Sequence, residues 1–213
     1  MAYSRGDSNR IIVGAAAFFI ADAQLTALPH ALDPDYSYRE TLSVSTGPDV
    51  VTDVTNVGYT TNGLELSFQP NFGEVNVDQI LDVAKLYKQG MKVDMKTEFA
   101  EATLENLLVA LAYGNEQLDG EPGDADGKVL NLSAGELGEC PVERGIIAVG
   151  PGTGDCVNSE KTERIYVGFR ALSIDNVSVM AKRDAPSTFA VNFRMLPSDA
   201  GTYGKIIDRT FGA

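Results

Sequence analysis

From Met91 to Phe99 the chain alternates without a break. Met91, Val93, Met95, Thr97 and Phe99 hold one set of positions, and Lys92, Asp94, Lys96 and Glu98 hold the other. A period of two puts apolar side chains on one face and charges on the opposite face, the pattern of a half-buried β-strand. Directly afterwards the period changes. Leu104, Leu107, Leu108 and Leu111 fall at i, i+3, i+4 and i+7, with Ala102, Ala110 and Ala112 beside them, which is the stripe of an amphipathic helix. Helix formers fill about 100–113, Glu101 favours the first turn, and Gly114 follows as a C′ residue. The sequence therefore predicts one principal helix over 100–113, its four leucines packed on a sheet.

The remaining segments read as strands and turns. Leu64, Leu66 and Phe68 alternate with Glu65, Ser67 and Gln69, a second half-buried strand. Pro70-Asn71-Phe72-Gly73 predicts a turn, Val75–Asp78 an extended stretch, and 79–88 a short helical turn ended by Gly90. Earlier, 24–63 is rich in turn formers, including Asn62-Gly63, with short strands at Leu42–Val44 and Val50–Val54. A Gly/Asp-rich stretch at about 115–162 holds two short strands, Lys128–Leu132 and Gly145–Val149. Strands then follow at Arg164–Leu172, Asn176–Lys182, Thr188–Met195 and Lys205–Phe211. Many short strands and one helix, without a linker or repeat, predict a mainly β single domain over 1–213, a sandwich or barrel carrying a helix.

Charge narrows the function classes. There are 17 Lys+Arg against 30 Asp+Glu, a net charge of −13. A protein that grips nucleic acid through phosphate needs clustered basic residues, so this balance argues against tight DNA or RNA binding. His30 is the single histidine and Cys140 and Cys156 are the only cysteines, which excludes metal sites built on several His and Cys. No cofactor is expected.

The N-terminus admits two readings. Arg5 and Arg10 precede the apolar run Ile11–Ile20 and the Ala21-Asp22-Ala23 triplet, a pattern that fits a secretory signal peptide over 1–23. The same run, rich in β-branched and aromatic residues, fits a strand covered on both faces. It is too short to span a bilayer, so no membrane insertion is expected.

Motifs of catalytic or binding proteins are incomplete. Gly145–Gly154 reads as a strand entering a glycine loop, but Asp155-Cys156 stands where a phosphate loop needs Lys-Ser/Thr, and the dinucleotide fingerprint lacks its third glycine. The acidic stretch Asp119–Gly127 suggests calcium, yet alignment on Asp124 and Asp126 puts Pro122 and Ser133 at ligand positions. Cys140 and Cys156 flank the glycine loop as two thiols or a bridge. His30 lies in a Pro29-His30-Ala31 turn with no marked nucleophile, so a hydrolase would have to be built around it without a motif.

Several stretches resemble one family. Val57–Phe68 and Glu74–Gln79 look like the opening strands of phage major tail tube proteins. Ala100-Glu101-Ala102-Thr103-Leu104-Glu105-Asn106-Leu107 resembles that family's helix-opening motif, Ser187–Pro197 its penultimate strand, and Val13–Ala16 its first strand. These matches cover most of the chain in the family's order and are weakest over 115–162.

The resemblance implies a structural virion protein of a long, non-contractile tail, not an enzyme. The implied fold is a β-sandwich with a packed helix and an extended N-terminal segment at about 1–10. Six copies would join inner sheets into a ring barrel, and rings would stack into the tube that delivers DNA to the host. Implied partners are further copies of the chain, the tape measure protein, the tail terminator and distal tail proteins, with assembly in the host cytoplasm. Phage DNA would pass through without specific binding. A lumen of this kind is expected to be net acidic, with Glu65, Glu74, Asp78, Asp94 and Glu98 facing it and Lys92 and Lys96 paired to acidic neighbours across strands. The alternatives are a secreted β-sandwich binding module and another phage tail protein, a terminator or a contractile-tail tube subunit.

Overall fold

The computed structural model describes residues 12, 14–44, 54–79, 81–120, 127–135, 137–138, 140–153, 161–180, 183–184 and 186–212. A run that is apolar at every position needs cover on both faces, and the strand Ala17–Ala21 (β1) has it. Phe18 and Ile20 enter one core, and Phe19 and Ala21 enter a second on the other side. Cleavage after residue 23 would remove this strand from the interior of the sheet, which argues against the signal-peptide reading. Next come a helix at Tyr38–Val44 (α1) and strands at Val54–Asn56 (β2), Thr60–Val75 (β3) and Lys85–Phe99 (β4). A second helix spans Leu104–Ala110 (α2), followed by two-residue strands at Leu118–Asp119 (β5) and Val129–Leu130 (β6). Arg144–Pro151 (β7), Lys161–Ser173 (β8), Phe189–Leu196 (β9) and Gly204–Phe211 (β10) complete the chain.

The main sheet is antiparallel with the order β2-β1-β7-β8-β9-β4-β3, and β10 pairs with β8. β9 and β10 share one side of β8: β9 takes Arg170–Ser173, and β10 takes Lys161–Gly168. The sheet folds over its own core. β1 and β4 are four steps apart in the order, about 19 Å in a flat sheet, yet the Phe18 and Phe99 rings lie 5.9 Å apart. Phe18 also stacks on Phe193 of β9 at 5.7 Å. The two extreme strands, β2 and β3, are joined by residues 57–59 alone, a link of at most about 14 Å. The architecture is thus mainly β and sandwich-like. Phe18, Val93, Met95, Phe99, Ile146, Phe189 and Phe193 fill its interior, with Ala110 of α2.

The second face of β1, β7 and β8 is roofed by the 25–42 segment. Leu25, Tyr38 and Leu42 pack on Phe19, Ile147, Ile165 and Phe169. A buried ion pair pins this roof. Glu163 accepts from the Ser37 hydroxyl (2.6 Å), the Tyr38 backbone N–H (2.9 Å) and Arg209 Nε (2.6 Å). Arg209 spends its other nitrogens on the carbonyls of Asp33 (2.5 Å) and Tyr36 (2.6 Å). A buried pair of this kind is tolerable because nearly every donor and acceptor is used.

Several expectations are corrected. Pro70–Gly73 is not a turn: β3 runs through it, because β3 is the free edge of the sheet, where a missing N–H costs no ladder bond. The chain reverses over 76–84, closed by Ala84 N–H to the Val75 carbonyl at 2.9 Å, and 85–88 are strand and not helix. Asn62-Gly63, both at positive φ (60° and 69°), forms a bulge inside β3 where a turn is expected. Leu42–Val44 is helical, since Tyr38 and Leu42 fall four apart toward one core. Of Val50–Val54 only Val54 is described, and it opens β2. Residues 176–180 of the expected strand Asn176–Lys182 pair with nothing as strand, and Lys128–Leu132 shrinks to β6.

The helix is shorter than 100–113. Thr103 caps it by accepting from the Asn106 N–H, and the chain leaves it through Ala112 at φ 56°, not through Gly114. Leu108 is buried, whereas Leu104, Leu107 and Leu111 are half-buried. The surprise is Asn106, whose buried amide donates to the carbonyls of Val57 (2.8 Å) and Glu101 (2.9 Å). That side chain ties α2 to the link between β2 and β3.

Candidate functional site

Three surface features derive from the β3–β4 hairpin. The first is an arm. β9 follows β4 only as far as Val93, so Gln69–Val75 and Lys85–Lys92 continue as a two-stranded ladder beyond the sheet. Among the described residues, seven large apolar side chains between 68 and 87 are exposed, including Phe68, Phe72, Val77, Leu81, Leu86 and Tyr87. An isolated two-stranded ladder with such residues gains little from its own chain and presents a surface for others.

The second feature is a polar strip on the sheet face opposite the core. Register places Glu65 beside Lys96 and Lys96 beside Asn192; in the next row Ser67, Asp94 and Arg194 align. Lys92 lies 3.1 Å from Asp94, an ion pair along one strand and not across strands. Glu98 accepts from Asn62 and from Thr188. Of the five expected acidic residues, Glu65, Asp94 and Glu98 meet here, while Glu74 sits on the arm and Asp78 in its tip. Asp94 is buried at 2 % exposure, and its Oδ1 and the Oδ1 of Asn192 have no hydrogen-bond partner among the described residues. The member that sequence reading missed is Arg194. With Lys92 and Lys96 it balances the three carboxylates, so this strip is charge-neutral rather than acidic.

The third feature is a cleft of about 600 Å³ between the arm and β10, with Phe68, Met91, Tyr166, Tyr203 and Ile206 in its walls. It exists because β9 stops at Leu196 and β10 resumes beside β8 only at Gly204, leaving β4 without a neighbour on its β9 side beyond Val93. Tyr203 reaches across to donate its hydroxyl to the Met91 carbonyl at 2.6 Å.

The other candidates resolve differently. In the glycine stretch, Gly150 is a strand residue facing Arg164, and a Cβ on Gly152 would lie 2.9 Å from the Glu163 nitrogen. These glycines serve close strand packing. His30 is half-buried, and among the described residues no serine or cysteine hydrogen-bonds to it. Cys140 is exposed and forms no disulfide among the described residues; Cys156 and the 121–126 part of the acidic loop lie outside them. Among the described residues no cluster of His, Cys, Asp or Glu could hold a metal ion, and no helix is long and apolar enough to cross a membrane.

Arg144 lines a smaller hollow of about 260 Å³ beside α2, held by Asp22 (3.3 Å), Asn115 (2.8 Å) and the Tyr113 carbonyl (3.0 Å). Burial pushes its pKa down from the usual guanidinium value. No protein-family model matches the chain, and no curated protein matches its sequence.

Proposed function

We propose that this chain is a self-assembling structural subunit, the building block of a phage tail tube, closing into hexameric rings that stack into a DNA conduit. The observation that carries the reading is the β3–β4 arm, a ladder that leaves the body of the protein with its apolar side chains exposed. A monomer gains nothing from such an arm, whereas a second copy would cover it. The free edge of β3 adds a row of unpaired backbone groups, which ring closure would satisfy. The resemblance at Val57–Phe68, Ala100–Leu107 and Ser187–Pro197 points the same way.

On this reading the strip around Asp94 and Lys96 lines the channel. Each cation there already has a carboxylate near it, Lys92 along its own strand and Lys96 and Arg194 across the ladder, so DNA phosphates would find no free partner and the duplex could slide. Tape measure, terminator and distal tail proteins would be the remaining partners in the virion.

Electron microscopy of the purified protein at rising concentration tests the proposal. Rings of six and stacked tubes are expected. A species that stays monomeric in sedimentation and is absent from virions would overturn it.

A further inference from the structure

We propose that the cleft between the arm and β10 is the socket for the hairpin tip of a second copy of this chain. This deepens the structural-subunit reading and rests on it. In a chain of net charge −13, the cleft's only charged lining residues among those described are Lys88 and Lys205. Both are exposed, and neither has an ion-pair partner among the described residues. The rest of the cleft is largely apolar or aromatic, including Phe68, Met91, Tyr203 and Ile206.

The tip has the complementary chemistry. Residues 74–84 carry Glu74, Asp78 and Asp82 and no base. Val75, Val77 and Leu81 stand exposed among those carboxylates. Apolar groups flanked by acids would enter an apolar slot flanked by lysines.

The tip cannot serve its own cleft. Lys88 is paired with Phe72 in the same ladder whose far end is the tip, so the arm forms one wall of the cleft and points its tip away. The occupant must come from another molecule. Tip-into-cleft is a heterologous contact: each copy gives one tip and receives one, and the contact propagates or closes according to its rotation.

Charge reversal by halves tests this with the full chain. One variant carries Lys88→Glu and Lys205→Glu, the other Asp78→Lys and Asp82→Lys. Each alone places like charges together at every contact, and its assembly threshold should rise on the order of a hundredfold. Mixed in equal amounts, the two variants can alternate so that every tip meets a cleft of opposite charge, and assembly should return to near the wild-type threshold in sedimentation velocity. Recovery on mixing also proves that both variants are folded.

Variants that assemble like wild type, or a mixture that fails although each variant keeps the wild-type circular dichroism and melting temperature, would overturn the socket. Wild-type assembly would in those cases leave the structural-subunit reading standing. A wild-type chain that stays monomeric throughout would remove both.

Discussion

Tyr203 donates its phenol to the Met91 carbonyl at 2.6 Å, bridging the gap where β4 has lost β9 as a neighbour. The bond takes up a backbone acceptor next to the cleft and fixes the spacing between arm and body. Tyr203→Phe keeps the ring's packing and removes only this bond. We expect a loss of about 0.5–1.5 kcal/mol in global stability. Amide exchange should accelerate in 85–91 and stay unchanged in the β7 and β8 core. Uniform acceleration would show that the arm is not locally held.

Tyr38 has the opposite character. It is fully buried, no hydrogen bond of ordinary geometry reaches its hydroxyl among the described residues, and burial pushes its pKa up from 10.0 to about 12 against the opposing pull of the His30 backbone and the Arg209 charge. Because the folded value exceeds the unfolded one, the associated stability is intact below pH 10 and is lost as pH rises toward 12. We expect Tyr38→Phe to match or exceed the wild-type melting temperature at pH 7. It should also lose about 2 kcal/mol less than wild type between pH 10 and 12. Parallel alkaline unfolding curves for the two proteins would contradict this.

The helix α2 separates two leucines that look equivalent in sequence. Leu108→Ala should cost about 2–5 kcal/mol, and Leu107→Ala, half-buried, roughly half as much. Asn106→Ala should cost about 1–3 kcal/mol by leaving the Val57 and Glu101 carbonyls without their donor. Denaturant titration of the three variants orders them.

The polar strip makes a prediction about DNA. The wild-type subunit should not retard duplex DNA in a gel, even at low ionic strength. Removing the carboxylates with Glu65→Gln, Asp94→Asn and Glu98→Gln frees Lys92, Lys96 and Arg194. Retardation should then appear, with a log–log salt slope of roughly 2–3 per subunit. Tight wild-type binding would overturn the idea of a passive channel wall.

Alternation made much of the sheet legible: Met91–Phe99 and Arg164–Leu172 lie within observed strands, and Thr188–Met195 does so but for its first residue. What misled was punctuation whose meaning depends on neighbours. Pro70 breaks a central strand but is neutral on a free edge, and edge status is set by topology that no local window contains. Asn62-Gly63 supplies positive φ equally well to a hairpin turn or to a bulge. The candidate site was half visible. Glu65, Asp94 and Glu98 could be grouped by parity, but Arg194 joins them only through the pairing of β4 with β9, almost a hundred residues later in the chain. Asn106 reads as an unremarkable polar residue in a helix, since its partners belong to distant backbone.

The position of β1 has a consequence for biosynthesis. Phe19 must wait for Ile147, and Phe18 for Phe193, before either is covered. Long-range pairing of this kind is slow to form. The β3–β4 hairpin is local and complete at Phe99, while β9 ends at Leu196, roughly 5–20 s later at ordinary translation rates. During those seconds a nascent chain displays its sticky arm with no body behind it. Pro70, which leaves a gap in the donor row of the exposed β3 edge, then acts as a brake on premature pairing between unfinished chains on neighbouring ribosomes.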